Sequence, residues 1–275
     1  MTPLAPEIAA WLASNGLPRP TSVRAVPSAT APVMLVVDGH VLRWYGDRPS
    51  LGDEPDRVIR EVAALTAVAG AGVPAPRLLA WTSDPPAILF TLVPGEPRLE
   101  LPDPGAVLDV LEWIHAVDPA GLSAWTYRGY HEGSDLRRPS WWRASGTWER
   151  AVRQTETARP IAGAVVIHRD VHPGNILWVD DRLSGVVDWV DACLGPAEFD
   201  LAHLRVNLAV LFGVGAEDVV GAGDPAWDVE AAFGFLDWPT AASIDAWPGP
   251  WPHLAATAAR DRLEAFMARA LARIG

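Results

Sequence analysis

The sequence predicts an α+β protein in two parts, an antiparallel sheet with one long helix followed by a mostly helical region. Short apolar segments with strand-like composition recur before residue 94, and one long amphipathic segment interrupts them. After the stretch PGEP (94–97), which has the composition of a linker, apolar residues recur mainly at helical spacing. We therefore expect an N-terminal unit over residues 1–94 and a C-terminal unit over residues 95–275.

The N-terminal part begins with one predicted helix and three predicted strands. Residues 6–16 carry apolar side chains at helical spacing, with Pro6 near the start and Gly16 at the end. Apolar segments predict strands at 23–26, 33–37 and 41–45. Asp38-Gly39, between the last two strands, is typical of a tight β-hairpin.

The long amphipathic segment, residues 56–72, predicts a helix that packs on the sheet. Asp56 can cap its N-terminus, and glycines near residue 70 end it. The residues expected to face the sheet are Ile59, Val62, Leu65 and Ala69. Two further apolar segments, 77–81 and 87–93, complete the predicted sheet.

The C-terminal part is predicted to consist mainly of helices. Apolar residues at helical spacing occur at 106–117, 140–152, 199–213, 227–236 and 253–274. One hairpin interrupts this pattern, with strands at 175–179 and 183–190 on either side of Asp180-Asp181. The sequence thus predicts strands first and helices later, with one hairpin placed among the helices.

Charge and composition exclude several classes of partner. The net charge of −12 disfavours nucleic acid, whose phosphates would be repelled. Most of the excess negative charge falls after residue 95, which favours a cationic small molecule as a partner of that part. The single cysteine permits no intramolecular disulfide. No signal segment or membrane-length apolar run is present, so we expect a soluble, cytoplasmic protein with no membrane partner.

All 22 basic residues are arginines. The absence of lysine excludes a Walker A loop, a Schiff-base enzyme and a lysine general base. Any group that binds phosphate through a side-chain cation in this chain must therefore be an arginine.

One polar loop carries the residues that most clearly indicate chemistry. In VVIHRDVHPGNILW (165–178), Asp170 and Asn175 lie five residues apart with Pro-Gly between them, which favours a loop over a helix. Asp188 follows the next apolar run and can join them. A carboxylate, an amide oxygen and a second carboxylate form the hard oxygen donor set that Mg²⁺ prefers and that suits zinc poorly.

The loop resembles known phosphoryl-transfer sequences. H-R-D-x-x-x-x-N resembles the catalytic loop of protein kinases, with Asp188 at the position of their metal-binding Asp. The longer pattern, HRDVHPGNILW followed by GVVDWVDACLGPAEFDLA, is more similar to the aminoglycoside phosphotransferase family, which is related to choline and homoserine kinases. The resemblance extends over most of the chain. It implies a bilobal protein-kinase-like fold, with a nucleotide-binding lobe over 1–94 and a catalytic and acceptor-binding lobe over 95–275.

The resemblance implies a small-molecule kinase that uses Mg²⁺ and ATP or GTP to phosphorylate a hydroxyl of an aminoglycoside-like or other small acceptor. Three alternatives remain open. The chain could be a non-catalytic nucleotide or small-molecule binder of the same fold, or a metabolite kinase with a choline-, homoserine- or sugar-like substrate. The literal HRD suggests a protein kinase, although the absence of Asp-Phe-Gly and Ala-Pro-Glu argues against it.

The resemblance also implies roles for the charged residues. Asp170 would accept or orient the substrate hydroxyl, and Asn175 and Asp188 would hold Mg²⁺ against the β- and γ-phosphates. Glu61, on the long helix, would pair with the basic residue of the third strand. That residue is Arg43, where the characterised antibiotic kinases more often have lysine, and Arg is a suitable bidentate phosphate ligand.

The nucleotide base would lie at the end of the predicted sheet. Phe90 would form the back of the adenine pocket, with the Thr91 carbonyl and the Val93 N–H meeting the base edge. The turn PSATAP (27–32) contains no glycine, so a phosphate lid there would use other backbone N–H groups with the hydroxyl of Ser28 or Thr30.

The remaining polar residues of the loop are expected to support it. His168 would fix the loop by hydrogen bonding, and His172 is expected to be a loop residue rather than a ligand. Asp200 would anchor the catalytic loop through backbone N–H groups. Arg169 stands where the family commonly has glycine, and its side chain would pair with Asp191 or with Asp200.

Overall fold

The computed structural model describes residues 4–17, 22–25, 33–45, 56–98, 103–129, 132, 136–155, 163–236 and 254–274. Within these ranges an antiparallel sheet with one long helix precedes a mainly helical region, so the predicted α+β class is confirmed. None of the helices in these ranges is long and apolar enough to cross a membrane.

The N-terminal sheet has five antiparallel strands in the order β1-β2-β3-β5-β4. Its strands are β1 (Val23–Ala25), β2 (Val33–Val37), β3 (His40–Trp44), β4 (Leu78–Ser83) and β5 (Pro86–Thr91). Asp38 and Gly39 turn the β2–β3 hairpin with φ values of 46° and 79°. Two successive positive φ angles are what a tight turn matched to the twist of the strands requires, so the hairpin prediction is confirmed.

Helix α1 (Pro6–Ser14) packs on one face of this sheet, and helix α2 (Arg57–Gly70) packs on the other. Alternation along β3 divides its side chains between the two sides. Leu42 and Trp44 join the apolar cluster under α1, whereas Val41 joins the cluster under α2. The buried Arg43 lies on the same side as Val41, and its ion pair with α2 forms there.

The buried side of α2 differs from the side that the sequence predicts. Ile59 is 45% exposed and Ala69 is exposed, so the expectation that they face the sheet is wrong. The residues buried along α2 are Val58, Arg60, Glu61, Ala64, Leu65 and Val68. The prediction is confirmed for Leu65, which is buried, and Val62 is partly buried against the same apolar cluster. Two of the buried residues are charged, and a pattern read from apolar residues alone did not include them.

Asp56 does not cap α2, contrary to the sequence prediction. Its side chain makes no capping hydrogen bond, and its Oδ2 accepts instead from the indole Nε1 of Trp125 at 2.6 Å. The carboxylate thus links the start of α2 to the C-terminal part of the chain, a partner that local sequence cannot indicate.

The C-terminal part contains the predicted helices with shifted ends. They are α3 (Pro104–His115), α4 (Ser145–Thr155), α5 (Ala197–Phe212), α6 (Pro225–Phe233) and α7 (Ala256–Ile274). Helix α4 begins five residues later than expected, because residues 140 and 141 form a turn ahead of it. The predicted hairpin is confirmed, with β8 (Ile176–Val179) and β9 (Arg182–Val186) joined by two positive-φ aspartates.

The predicted linker is partly a strand. Residues Glu96–Pro97 form β6, which pairs with β8 and so joins the end of the first sheet to the hairpin. Gly95 precedes it with φ of 107°, and a Cβ there would lie 2.6 Å from the Trp178 carbonyl oxygen. Only glycine fits here, where the chain passes close to the Trp178 backbone.

Two further strands, β7 (Val165–Ile167) and β10 (Cys193–Gly195), pair with each other on either side of the hairpin. The polar loop of the sequence analysis runs from β7 to β8. One apolar cluster holds this region together, with members from the sheet, α2, α3 and the hairpin, among them Val41, Leu65, Ile114 and Trp189. Burial of each such large side chain contributes about 1.5–3 kcal/mol, so the loop rests on a well-packed base.

Candidate active site

The loop between β7 and β8 contains one 3₁₀ turn, Pro173–Asn175. The Gly174 N–H donates to Nδ1 of His172 at 3.0 Å, so this imidazole caps the turn. His172 is therefore a buried structural member of the loop, and its other ring nitrogen, Nε2, lies 3.7 Å from Oδ2 of Asp170.

The turn brings Asn175 and Asp170 into direct contact. Nδ2 of Asn175 donates to the Asp170 carbonyl at 2.9 Å and to its Oδ2 at 3.0 Å. Because both donated bonds run toward Asp170, the amide oxygen of Asn175 is directed away from that carboxylate. The Asn175 carbonyl in turn accepts from the Val187 N–H at 2.9 Å, which places Asp188 beside it on the facing strand end.

A third residue, His203 of α5, holds the other oxygen of Asp170. Its Nε2 lies 3.1 Å from Oδ1, and its ring is packed near the rings of Phe199 and Phe235. Burial by itself would raise the pKa of Asp170, but the nearby His172 and the hydrogen bond from His203 hold that pKa below its ordinary value. Asp170 is thus ionised at neutral pH, and a carboxylate held in this way can accept a hydrogen bond from a hydroxyl group.

Asp200 is fully buried beneath the loop. Its carboxylate accepts from the backbone N–H groups of His168 at 2.9 Å and Arg169 at 2.7 Å, and it lies 3.0 Å from Nε2 of His115. These are the contacts by which a carboxylate can hold a loop in place, and sequence reasoning did not include His115 among its partners.

His168 connects the same loop to the segment before Asp188. Its Nε2 lies 3.0 Å from the Val187 carbonyl, and its Nδ1 accepts from the Asp170 N–H at 3.3 Å. The ring packs edge-on against Trp189, with centroids 4.6 Å apart. His168 therefore contacts both segments that carry the candidate carboxylates.

Arg169 has a φ of 71°, in the left-handed region that favours glycine. The resemblance implied glycine at this position, and this backbone conformation gives a physical reason for it. Nη2 of Arg169 donates to the Arg128 carbonyl at 2.9 Å, and the guanidinium lies 5.7 Å from the ring centroid of Tyr127. Of the two carboxylates expected to pair with the Arg169 side chain, Asp200 accepts from the backbone N–H of Arg169. Burial raises the pKa of the other, Asp191, and the positive charge of Arg169 offsets only part of this rise.

Arg43 lies at the centre of a buried ionic cluster. Its Nη1 is 3.4 Å from Oε2 of Glu61, and both Nη1 and Nη2 donate to Oδ1 of Asp188 at 2.9 Å. The Tyr45 hydroxyl donates to Oε2 of Glu61 at 2.8 Å. Burial lowers the pKa of Arg43, but the charges of Asp188 and Glu61 more than offset this and raise it above its ordinary value.

Asp188 and Asn175 offer a donor set that fits a magnesium ion. Asp188 is 29% exposed at its side chain, and among the described residues none donates to its second oxygen, Oδ2. A carboxylate oxygen and an amide oxygen are hard ligands, and Mg²⁺ is commonly bound through one or two such groups with phosphates and water. The contact with Arg43 means that an ion here would share Asp188 with a guanidinium.

The residues expected around a nucleotide base lie at the end of β5. Phe90 is buried in the main apolar cluster, and Thr91 exchanges hydrogen bonds of 2.9 Å with Arg77 through its N–H and Oγ1. Val93 packs on Gly185 of β9, where a Cβ would lie 2.6 Å from its Cγ1. Ser28 and Thr30 lie outside the described residues.

Sequence reasoning missed His203 as a contact of Asp170. One signal was available, because FDLAH puts Asp200 and His203 three residues apart, on the same face of α5. It also missed Tyr45 as a partner of Glu61, and Arg60, which contacts the segment after Asp188. Strand alternation was an available signal for Tyr45, because it puts Tyr45 on the same face as Arg43. No local pattern marks Arg60, since its partner Val190 lies 130 residues away.

One protein-family model matches most of the chain. The family model described as "Phosphotransferase enzyme family" matches residues 22–247. A search of curated proteins gave no match.

Several solved structures have a similar fold. The GDP complex of wild-type aminoglycoside 2'-phosphotransferase-IIIa superimposes with a TM-score of 0.64 at 15% identity, covering 96% of this chain and 98% of that chain. A gentamicin complex of APH(2")-IIa gives 0.61 at 14% identity, over 87% and 90% of the two chains. A ternary complex of an APH(4)-Ia mutant with AMP-PNP and hygromycin B gives 0.60 at 16%, over 96% and 98%. These similarities establish the bilobal protein-kinase-like fold.

Proposed function

The chain belongs to the phosphotransferase enzyme family, and on that premise we propose that it transfers the γ-phosphoryl group of ATP or GTP to a hydroxyl of an aminoglycoside-like or other small acceptor. The observation that carries this proposal is the direct contact of Asn175 with Asp170, together with the backbone bond from Val187 to Asn175 that brings the next residue, Asp188, to the same place. Arg43 in turn binds Asp188. On this proposal Asp170 would be the orienting carboxylate, Asn175 and Asp188 the two oxygen ligands, and Arg43 the phosphate-binding cation.

Asp170 would orient the acceptor hydroxyl for in-line attack. Its side chain is 32% exposed, and His203 and Asn175 each hold one of its oxygens. A carboxylate fixed in this way aligns the attacking oxygen without reorganisation during the reaction, and positioning of this kind supplies much of the rate enhancement in phosphoryl transfer.

Asn175 and Asp188 would hold Mg²⁺, which when bound would neutralise charge on the β- and γ-phosphates. Arg43 would contact the phosphates. Its Nε is buried and has no hydrogen-bond partner among the described residues, and buried donors are normally satisfied in a complete site. We assign nucleotide binding to the lobe before residue 95, including Phe90, Thr91, Val93 and Ser28, and acceptor binding to the lobe after it.

The acceptor is expected to be cationic. Most of the chain's excess negative charge lies in the part after residue 95, and such a field concentrates cations near the site. The gentamicin and hygromycin B complexes of similar fold support an amine-bearing acceptor. A choline-like amino alcohol meets the same electrostatic requirement and remains within the proposed class.

A non-catalytic binder of the same fold is the second candidate. One observation favours this candidate: both terminal nitrogens of Arg43 donate to Asp188. An enzyme would need that carboxylate to bind the metal ion. The two candidates differ in turnover and agree in nucleotide binding.

The test is nucleotide turnover by the purified protein. ATP or GTP with Mg²⁺ would be incubated with aminoglycosides, other antibiotics and amino alcohols, and phosphorylated product detected by mass. Asp170→Asn serves as the control: it should abolish turnover and leave nucleotide affinity within a few-fold, because the carboxylate acts on the acceptor. Equal turnover by this variant would refute the role of Asp170. Nucleotide binding without turnover across the panel would favour the non-catalytic candidate.

A further inference from the structure

Arg60 of α2 reaches the segment that follows Asp188. Its Nε donates to the Val190 carbonyl at 2.7 Å, and its Nη2 lies 3.2 Å from Oδ1 of Asp191. The residue is 9% exposed. A charge-assisted hydrogen bond to a backbone carbonyl in such a setting constrains that carbonyl more strongly than a solvated contact would.

The segment held by Arg60 begins with a backbone conformation that needs support. Asp188 has φ of 68° and ψ of 64°, in the left-handed region, and residues Trp189–Asp191 form a single 3₁₀ turn immediately after it. A residue other than glycine in this region persists only where its surroundings hold it there. The indole of Trp189, which donates to the Val186 carbonyl at 2.9 Å, is one such support. Arg60 is another, and it acts from a different lobe.

The next residue of α2 completes a closed ring of contacts. Glu61 pairs with Arg43, and Arg43 binds Asp188. Val190 and Asp191, two and three residues after Asp188, both contact Arg60, the neighbour of Glu61 on α2. Neighbouring residues of one helix thus hold both the carboxylate of Asp188, through Arg43, and the backbone that follows it.

We propose that Arg60 is a positioning residue, which sets the orientation of the Asp188 carboxylate for Mg²⁺-nucleotide by fixing the turn after it; this inference rests on the proposed function. In this role Arg60 would not contact the nucleotide or the metal itself. It acts through Val190 and Asp191, and it requires α2 to stay against the turn. A second contact from the other lobe, the Trp125 indole on Asp56, holds the start of α2 in the same position.

The chain offers a matched control for this residue. Arg57 lies one helical turn earlier, and its Nη2 is 3.9 Å from the same Oδ1 of Asp191. Its side chain is 26% exposed, against 11% for Arg60. A general loss of positive charge near Asp191 would affect both substitutions alike, whereas loss of the bond to the Val190 carbonyl affects only the substitution of Arg60.

The experiment compares Arg60→Ala, Arg60→Lys and Arg57→Ala with the wild-type protein. Calorimetry would measure ATP affinity at a series of Mg²⁺ concentrations, beside kcat, KM and the melting temperature. We expect Arg60→Ala to require about ten- to hundred-fold more Mg²⁺ for half-maximal ATP binding, the change that follows from losing one charge-assisted hydrogen bond. Arg60→Lys should recover part of the loss, and Arg57→Ala should remain within about two-fold of wild type.

The outcomes separate this inference from the function on which it rests. If the wild-type protein binds ATP with Mg²⁺ but Arg60→Ala has the same Mg²⁺ requirement, or only a lower melting temperature, Arg60 is purely structural and the inference fails alone. If the wild-type protein shows no Mg²⁺-dependent nucleotide binding, the proposed function fails and the inference falls with it. Should Arg60→Ala not fold, Arg60→Lys and Asp191→Asn carry the same comparison, and unchanged Mg²⁺ dependence in both would overturn the proposal.

Discussion

Replacement of Arg43 by methionine tests the buried ionic cluster most directly. Arg43 and Glu61 are each 1% exposed, so the substitution leaves a carboxylate in the interior without its cation. Removal of one partner from a buried pair typically costs about 3–5 kcal/mol. Methionine keeps an unbranched chain in the place of the arginine stem, so that the measured loss reflects charge more than lost volume. A loss of that size is a large fraction of the roughly 5–15 kcal/mol that stabilises a domain.

The pH dependence of the lost stability would show whether the uncompensated charge of Glu61 causes it. Burial raises the pKa of Glu61 above its ordinary value, and Arg43 is the largest opposing influence; Asp188 and Asp191 raise this pKa, and the Tyr45 hydroxyl lowers it. Without Arg43, the pKa of Glu61 should rise further. At a pH between the two pKa values, the folded variant binds a proton that the unfolded chain, whose glutamate pKa is about 4.3, has released.

A folded state that holds the extra proton loses stability as pH rises through the folded pKa and regains it as pH falls. The stability deficit of Arg43→Met relative to wild type should therefore be largest at neutral pH and shrink on acidification toward the ordinary glutamate range. Urea denaturation of both proteins at several pH values between about 5 and 8 measures it. Arg24→Met, on the exposed strand β1, is the matched control, with an expected change below about 0.5 kcal/mol.

Two results would refute this reasoning. One is a deficit below about 1 kcal/mol at neutral pH, which would mean that Glu61 does not need Arg43. The other is a large deficit that does not change with pH, which would assign the loss to packing. Arg43→Met should also bind ATP more weakly than wild type. Arg43→Lys should retain part of the wild-type affinity, because lysine keeps the positive charge but loses the bidentate hydrogen bonding.

Two other substitutions probe the carboxylates of the site. Asp188→Ala should weaken ATP binding at a given Mg²⁺ concentration by removing a charged ligand; a binding isotherm with full Mg²⁺ dependence would show that Asp188 is not a ligand. His203→Leu removes the contact with Oδ1 of Asp170 and should lower kcat about ten-fold or more, with the KM for nucleotide little changed. In an Asp170→Asn background the same change should cost little more, because His203 acts through that carboxylate, and simple additivity of the two effects would argue that it acts elsewhere.

Much of the site could be predicted from short-range sequence pattern. The loop residues Asp170 and Asn175 meet through a turn that Pro173-Gly174 indicates, and the hairpin that follows brings Asp188 beside them. The pair of Arg43 with Glu61, which the resemblance implied, is present, and strand alternation allows it by putting Arg43 on the same side of the sheet as Val41. These predictions concern backbone geometry over a few residues, or a single packing choice between one strand and one helix.

The contacts that the pattern did not indicate join residues far apart in the chain. His203 lies 33 residues from Asp170, and Arg60 lies 130 residues from Val190. The expected capping role of Asp56 was wrong because Trp125, 69 residues away, takes its carboxylate. Each of these polar groups contacts a partner far away in the chain, whereas local sequence predicts an ordinary surface or capping role for it.

The sequence by itself therefore determined the order of strands and helices, the turns, and the chemical types gathered in the loop. These follow from backbone preferences and from the periodicity of apolar residues, which act locally. Only the tertiary structure decided which face of α2 is buried and which partners hold Asp170 and Asp188. The physical reason is that a buried charge is stable only beside a counter-charge or a hydrogen-bond partner, and packing decides where such a partner lies. Glu61 and Arg60 are therefore buried on α2, while the apolar Ile59 is exposed.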